Sequence, residues 1–107
     1  MPKFNKVSEF FRGWLIGDFE PSLVRLKGFE ICLISHQKGE ETQAHFHTSS
    51  EEINVVISGR LLVNQVILEK GDIFTYERLE VSQVEFLEDS ELLVVRIPSS
   101  PNDKVLV

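Results

Sequence analysis

The stretch Gly39-Glu40-Glu41-Thr42-Gln43-Ala44-His45-Phe46-His47-Thr48-Ser49-Ser50-Glu51-Glu52-Ile53-Asn54-Val55-Val56-Ile57-Ser58-Gly59 decides how the rest of the chain is read. It holds two of the three histidines, separated by one residue. In an extended strand, residues i and i+2 face the same way with Cα atoms about 6–7 Å apart, so His45 and His47 can converge on one point. A helix would need a spacing of three or four. The small polar run Thr48-Ser49-Ser50 predicts a turn, after which the chain returns antiparallel and brings Glu52 to the same place. Two imidazoles and a carboxylate suit a borderline divalent transition metal such as Fe, Mn, Ni or Zn. Alternation puts the neighbouring Glu51 on the opposite face, towards solvent.

Outward from this stretch the pattern stays strand-like. Residues 29–36 read as a buried strand, followed by strands near 42–47, 52–58, 61–63, 66–68, 72–77, 82–87 and 91–97. Gly59-Arg60 and residues 69–72 are turns, residues 98–103 are a loop, and Val105–Val107 form a short docking tail. A two-residue hairpin turn is expected at Asn64-Gln65, although a type I′ turn favours glycine where Gln65 stands. Strands of four to eight residues separated by turn signals predict an all-β sandwich or barrel.

The fixed positions Gly39, His45, His47, Glu52 and Gly59 match the pattern G-x5-H-x-H-x4-E-x6-G, and the chain thereby resembles the cupin superfamily through its first motif. The resemblance implies a small jelly-roll β-barrel, the double-stranded β-helix, over residues 28–97. Residues 1–27 then form an N-terminal extension and residues 98–107 a C-terminal tail. The second cupin motif, G-x5-P-x-G-x2-H-x3-N, supplies a fourth ligand in that family. Aligned from Gly71, this chain has Glu77 for the proline, Leu79 for the glycine, Ser82 for the histidine and Phe86 for the asparagine. Three readings stay open. His45, His47 and Glu52 hold a metal alone and leave vacant positions. Alternatively Glu80, which shares the strand parity of Ser82, replaces the lost histidine. In the third, no metal is used, and the polar interior binds or transforms an organic ligand directly.

Other candidates for the pocket follow from parity. Gln43 lies two residues before His45, and Asn54 two after Glu52. Tyr76, the only tyrosine, is either a general acid opposite the pocket or a core residue with a hydrogen-bonded hydroxyl. His36 ends its strand and is expected at the surface. Cys32, the only cysteine, excludes an intramolecular disulfide and reads as a small buried hydrophobe. The net charge of −6 with scattered basic residues argues against nucleic acid as a partner. No apolar run approaches the length of a membrane span. Met1–Lys6 leads into charged and aromatic residues rather than a signal sequence, and the expected location is cytoplasmic. Trp14, Leu15, Ile16 and Phe19 form an apolar strand-like patch ahead of the barrel, which is either a lid on the core or a strand that pairs with a second subunit in a homodimer. The expectation is a small protein that binds a divalent metal and a compact polar metabolite, a sugar derivative or oxo-acid, with isomerase or oxygenase chemistry. The alternative is a non-catalytic small-molecule-binding module that has lost the metal.

Overall fold

Alternation along the long strands requires two stacked layers. In the strand Glu30–His36 the residues of even number turn inward, and the same holds for Glu51–Ser58 and Ser90–Ile97. Each therefore has one face that must be covered by another sheet. The computed structural model describes residues 1–107. Two 3-10 turns, Val7–Glu9 and Phe11–Gly13, lead into eleven strands. These are β1 (Trp14–Gly17), β2 (Val24–Arg25), β3 (Glu30–His36), β4 (His45–His47), β5 (Glu51–Ser58) and β6 (Arg60–Val63). β7 (Val66–Glu69), β8 (Ile73–Tyr76), β9 (Val84–Phe86), β10 (Ser90–Ile97) and β11 (Lys104–Leu106) follow.

One layer is a six-stranded sheet in the order β2-β1-β3-β10-β5-β8. The other is assembled from the three-stranded sheet β7-β6-β9 and the two-stranded sheet β11-β4. Two isolated bridges, Glu41 with Glu85 and His45 with Ser82, join these two pieces. Cys32, Val56, Leu61, Val63, Tyr76, Val84, Phe86, Leu92 and Val94 fill the space between the layers. The sheets do not close into a continuous barrel, and the arrangement is the jelly-roll that the cupin resemblance implies.

The hairpin turn is where the pattern put it. Asn64 and Gln65 both adopt positive φ, 45° and 76°. Asn64 secures the turn by donating to the Val81 carbonyl and accepting from the Tyr76 hydroxyl and the Gln83 N–H. These bonds offset the strain at Gln65 that glycine would have avoided. One local reading changes: β4 begins only at His45, so parity does not extend back to Gln43. The Trp14–Gly17 segment is a strand hydrogen-bonded to β3, with Trp14 packed against the core as the lid reading expects.

Two glycines of the histidine stretch have the same backbone conformation and different surroundings. Gly39 has φ 91° with open space around it. Gly59 has φ 92°, and a Cβ there would strike the Ser90 side chain and the Asp89 carbonyl. Gly39→Ala is expected to cost about 1 kcal/mol from the left-handed backbone alone. Gly59→Ala should cost about 3 kcal/mol because packing is added to strain. Urea unfolding of the two variants checks this; equal costs would remove the packing account.

Candidate functional site

The strand registers set the inward-facing side chains in rows. At one end of the six-stranded sheet, Arg96 pairs with Glu30 on one side and Glu52 on the other, and Tyr76 stands next to Glu52. The next row holds Cys32, Val94, Asn54 and Phe74, and the row after it Ile34, Leu92 and Val56. The interior is therefore charged at one end and apolar beyond it. Glu30, Glu52 and Asn54 are all at least nine-tenths buried, a costly placement unless each finds partners.

They do find partners. Arg96 Nε donates to Glu52 Oε2 at 2.9 Å, and Asn54 Nδ2 donates to Glu52 Oε1 at 3.0 Å. Arg96 Nη1 reaches Glu30 Oε1 at 3.4 Å, while the Ser99 hydroxyl donates to Glu30 Oε2 at 2.9 Å. The guanidinium also lies over the Trp14 ring, 4.8 Å from its centroid. Burial alone would raise the Glu52 carboxyl. His47, Arg96 and Asn54 outweigh it and hold the group down at about 2.

The facing layer brings the two histidines in from β4. Both are buried, with ring centroids 5.4 Å apart and planes nearly perpendicular. His45 Nδ1 sits 2.8 Å from the Gln43 carbonyl, which can only accept, so Nδ1 carries the proton and Nε2 is a free acceptor. Burial lowers the His45 pKa and keeps the ring neutral. His47 Nδ1 donates to Asp103 Oδ1 at 2.7 Å, and its Nε2 lies 3.3 Å from Glu52 Oε2. Nε2 makes no hydrogen bond. Burial would lower the His47 pKa, but the carboxylates of Glu52 and Asp103 outweigh it and raise it. Asp103 is held ionised in turn by His47 and by the N–H groups of Ser49 and Ser50, against the upward push of burial.

His45, Glu52, Asn54, Ser82 and Arg96 border a cavity of about 260 Å³ between the layers, with Arg12, Lys104 and His36 among its other lining residues. Of the predicted trio, His47 Nε2 and Glu52 Oε2 come within 3.3 Å and the His45 ring lies 5.4 Å from that of His47, without the three forming a group that could hold a metal ion; Ser82 bridges directly to His45. The expectations for Gln43, Glu80 and His36 are corrected, and of the two readings of Tyr76 the core one holds. Gln43 is exposed and contributes its backbone carbonyl, not its side chain. Glu80 is exposed and accepts the Glu77 N–H at 2.8 Å, which closes a turn and faces away from the barrel. Leu79 at φ 71° breaks the strand between Tyr76 and Ser82, so parity fails there. Tyr76 lies in the core with its hydroxyl tied to Asn64, not in the cavity wall. His36 is half-buried, stacks on Phe86 at 4.1 Å and lines the cavity. Burial pushes the Cys32 thiol up to about 12, which leaves it inert.

Sequence reasoning missed Arg96, Glu30 and Asp103. The first two carried a signal: each shares the parity of buried apolar residues on its own strand, Leu92 and Val94 or Cys32. A charge at an inward position asks for a partner. Asp103 follows Pro101 and Asn102 in a polar loop, with no periodicity to mark it.

No family model matches the chain, and no curated protein matches it by sequence. Solved structures do resemble it. An uncharacterized conserved protein with a double-stranded β-helix domain from Klebsiella pneumoniae is 19% identical with a TM-score of 0.72, covering 98% of this chain and 91% of that one. A cupin-2 domain protein from Shewanella frigidimarina is 16% identical with a TM-score of 0.59, covering 67% and 72%. The DMSP lyase DddQ from Ruegeria pomeroyi is 18% identical with a TM-score of 0.73, covering 88% of this chain and 49% of that one, so the chain spans about half its length. The fold is that of the cupin superfamily, a double-stranded β-helix. No helix is long and apolar enough to cross a membrane.

Arg96 is the residue on which the buried charges depend. In metal-free protein, Arg96→Met leaves Glu52 and Glu30 uncompensated and should cost about 3 kcal/mol at neutral pH by urea unfolding. Glu52 carries a pH signature of known sign. Its folded value of about 2 lies below the ordinary 4.5, so its stabilisation is complete above about pH 4.5 and is lost as pH falls towards 2. That contribution is on the order of 3 kcal/mol. Glu52→Gln should flatten the acid limb of the stability profile; an unchanged limb would refute the assignment.

Proposed function

We propose that the protein is a cupin-fold module that binds a compact polar metabolite in its interior cavity, with Arg96 serving as the fixed cation of the site. The supporting observation is the geometry around Glu52. Both of its oxygens already accept hydrogen bonds, one from Asn54 and one from a guanidinium. A divalent ion ligated by Glu52 and His47 would lie within a few ångströms of Arg96. At an effective dielectric constant of ~20, that repulsion is on the order of several kcal/mol. No three His, Cys, Asp or Glu side chains converge as a metal-holding group, and Ser82 offers only a hydroxyl where the family pattern has a histidine. The donor set therefore fits a divalent ion poorly. A cavity of this size, with apolar walls and a few oriented polar groups, is suited to holding a small molecule.

One observation favours a second reading, in which a divalent metal sits on His45, His47 and Glu52. His47 Nε2 is buried without a hydrogen-bond partner while Nδ1 is fixed by a carboxylate, the orientation a metal-ligating histidine takes. Bound there, such an ion would supply Lewis-acid polarisation of a ligand oxygen. Elemental analysis of tag-free protein separates the two readings. The expected result is far less than one equivalent of Fe, Mn, Ni or Zn per chain, with an unfolding midpoint unmoved by chelator. Stoichiometric metal that disappears in both His45→Ala and His47→Ala would replace the first reading with the second.

We also propose that the chain works as a homodimer through the outer face of the six-stranded sheet, not through an N-terminal strand. Register aligns Leu33, Leu93, Val55 and Ile73 in one row across four strands, with Ile31, Val95 and Ile53 in the next. Four strands at about 4.8 Å spacing and about five residues of each give a plan area on the order of 300 Å². That is the scale at which apolar patches mark interfaces. An outer face with an uncharged centre can be matched by an identical face related by a two-fold axis. Light scattering should give twice the 12.3 kDa chain mass and a monomer for Leu93→Glu; a monomeric parent protein would end this proposal.

A further inference from the structure

The cavity carries positive charge that the internal pairing does not use. Its charged lining groups are Arg12, Arg96, Lys104 and Glu52. Arg96 and Glu52 neutralise one another. Arg12 and Lys104 take part in none of the ion pairs of the structure. Glu40, the acidic group on which Arg12 acts from a distance, is already held by the His36 ring at 2.7 Å and the Gln37 N–H at 3.0 Å. In a chain with 17 acidic and 11 basic residues, two unpaired cations on one small cavity run against the overall charge.

They also come from opposite ends of the chain. Lys104 opens β11, which pairs with the histidine strand. Arg12 sits in the second N-terminal turn at φ 52°, a left-handed conformation that a non-glycine residue adopts only under constraint. The constraint is visible. The Arg12 carbonyl accepts the Cys32 thiol at 3.5 Å, and the adjoining Gly13 is buried where a Cβ would strike the Leu33 carbonyl. The backbone of Arg12 is pinned against β3, and the residue is among those that border the cavity.

We propose that the cavity takes a small organic anion, a carboxylate or phosphate monoester, with Arg12 and Lys104 compensating its charge and His45 and Ser82 lining the wall that meets its polar remainder. This rests on the reading of the cavity as a ligand site. It narrows the ligand from polar metabolites in general to acids, and a neutral sugar is excluded. The guanidinium fork suits either anion, and the ammonium adds a second positive charge without demanding a fixed geometry.

Isothermal titration in the presence of chelator tests it with isosteric pairs: malonate against malonamide, and glycerol 3-phosphate against glycerol. Malonate, glycerol 3-phosphate or both should bind, and the preferred member tells carboxylate from phosphate; the neutral partners should not. Arg12→Gln and Lys104→Gln should each weaken binding about tenfold or more, whereas Arg12→Lys and Lys104→Arg should retain most of it. Both positions are exposed, and unchanged urea midpoints establish that the variants fold; if Arg12→Gln does not, Lys104→Gln decides alone. Three results overturn the proposal: equal binding of a neutral partner, no binding of either anion, or anion binding indifferent to the charge-removing variants. Anion binding that appears only after metal loading, and ignores Arg12 and Lys104, would also overturn it and point to the metal reading instead. Metal content and anion binding are thus separate measurements, and either reading can fail without the other.

Discussion

The guanidinium of Arg96, set in register between two buried carboxylates, is the constraint on which the polar end of this molecule depends. Glu30 and Glu52 are each more than nine-tenths buried, and an unpaired charge at such depth costs several kcal/mol. Arg96 reaches both only because β10 is the central strand between β3 and β5. Strand order and charge placement are therefore one requirement. Trp14 on β1 covers the open face of the guanidinium, which gives the N-terminal strand a role in the site as well as in the sheet. Ser99 completes the shell from the loop after β10.

The same constraint determines what His47 can do. Its ring stands between Asp103 and Glu52, and a proton or a metal ion would use the same Nε2 lone pair. Two carboxylates raise its pKa and favour the proton. Arg96 shifts the balance further, because it supplies the charge compensation that a metal would otherwise give Glu52. Ser82, with a hydroxyl where the cupin pattern has a histidine, and Arg96 act in the same direction. One removes a ligand from the place where an ion would sit, and the other fills the electrostatic need for it. His45 is the exception: neutral, with its free nitrogen on a residue that lines the cavity, it is better placed to accept a hydrogen bond from a ligand than to carry charge.

How much of this was legible in the sequence follows from the range of the interactions. The fold was legible because alternation is local: the parity of Cys32, Val56, Leu92 and Val94 alone requires two stacked sheets. His45, His47 and Glu52 were legible because two of them share a strand and the third follows a three-residue turn. Gln43 and Glu80 were misplaced for a local reason too, since parity was extended across breaks at Ala44 and Leu79 that the residue types do not announce. Asp103 was out of reach, because its contact with His47 spans 56 positions and rests on a C-terminal strand of three residues. Arg96 and Glu30 fall between these cases, visible as inward charges but with a partnership set by strand order, which periodicity does not encode.

The two chain ends therefore complete the site that the middle begins. The central hairpins present the histidines, Glu52 and Ser82, while the N-terminal turn contributes Arg12, the C-terminal loop Asp103 and the strand after it Lys104. Closing those contacts requires a loop of 20 residues at the N-terminal end and of 53 to 56 at the C-terminal end, and the entropic cost grows only with the logarithm of length. What favours closure is the quality of the end contacts. Asp103 satisfies two backbone N–H groups and an imidazole at once, and Gly13 fits where any side chain would collide. The termini are tied down where the chain needs them and exposed just beyond, at Phe4, Phe11 and Val107. A cavity built this way has walls from the sheets and a rim of charge from the ends, so substitution at the rim can change the charge it presents without disturbing the Arg96 row beneath.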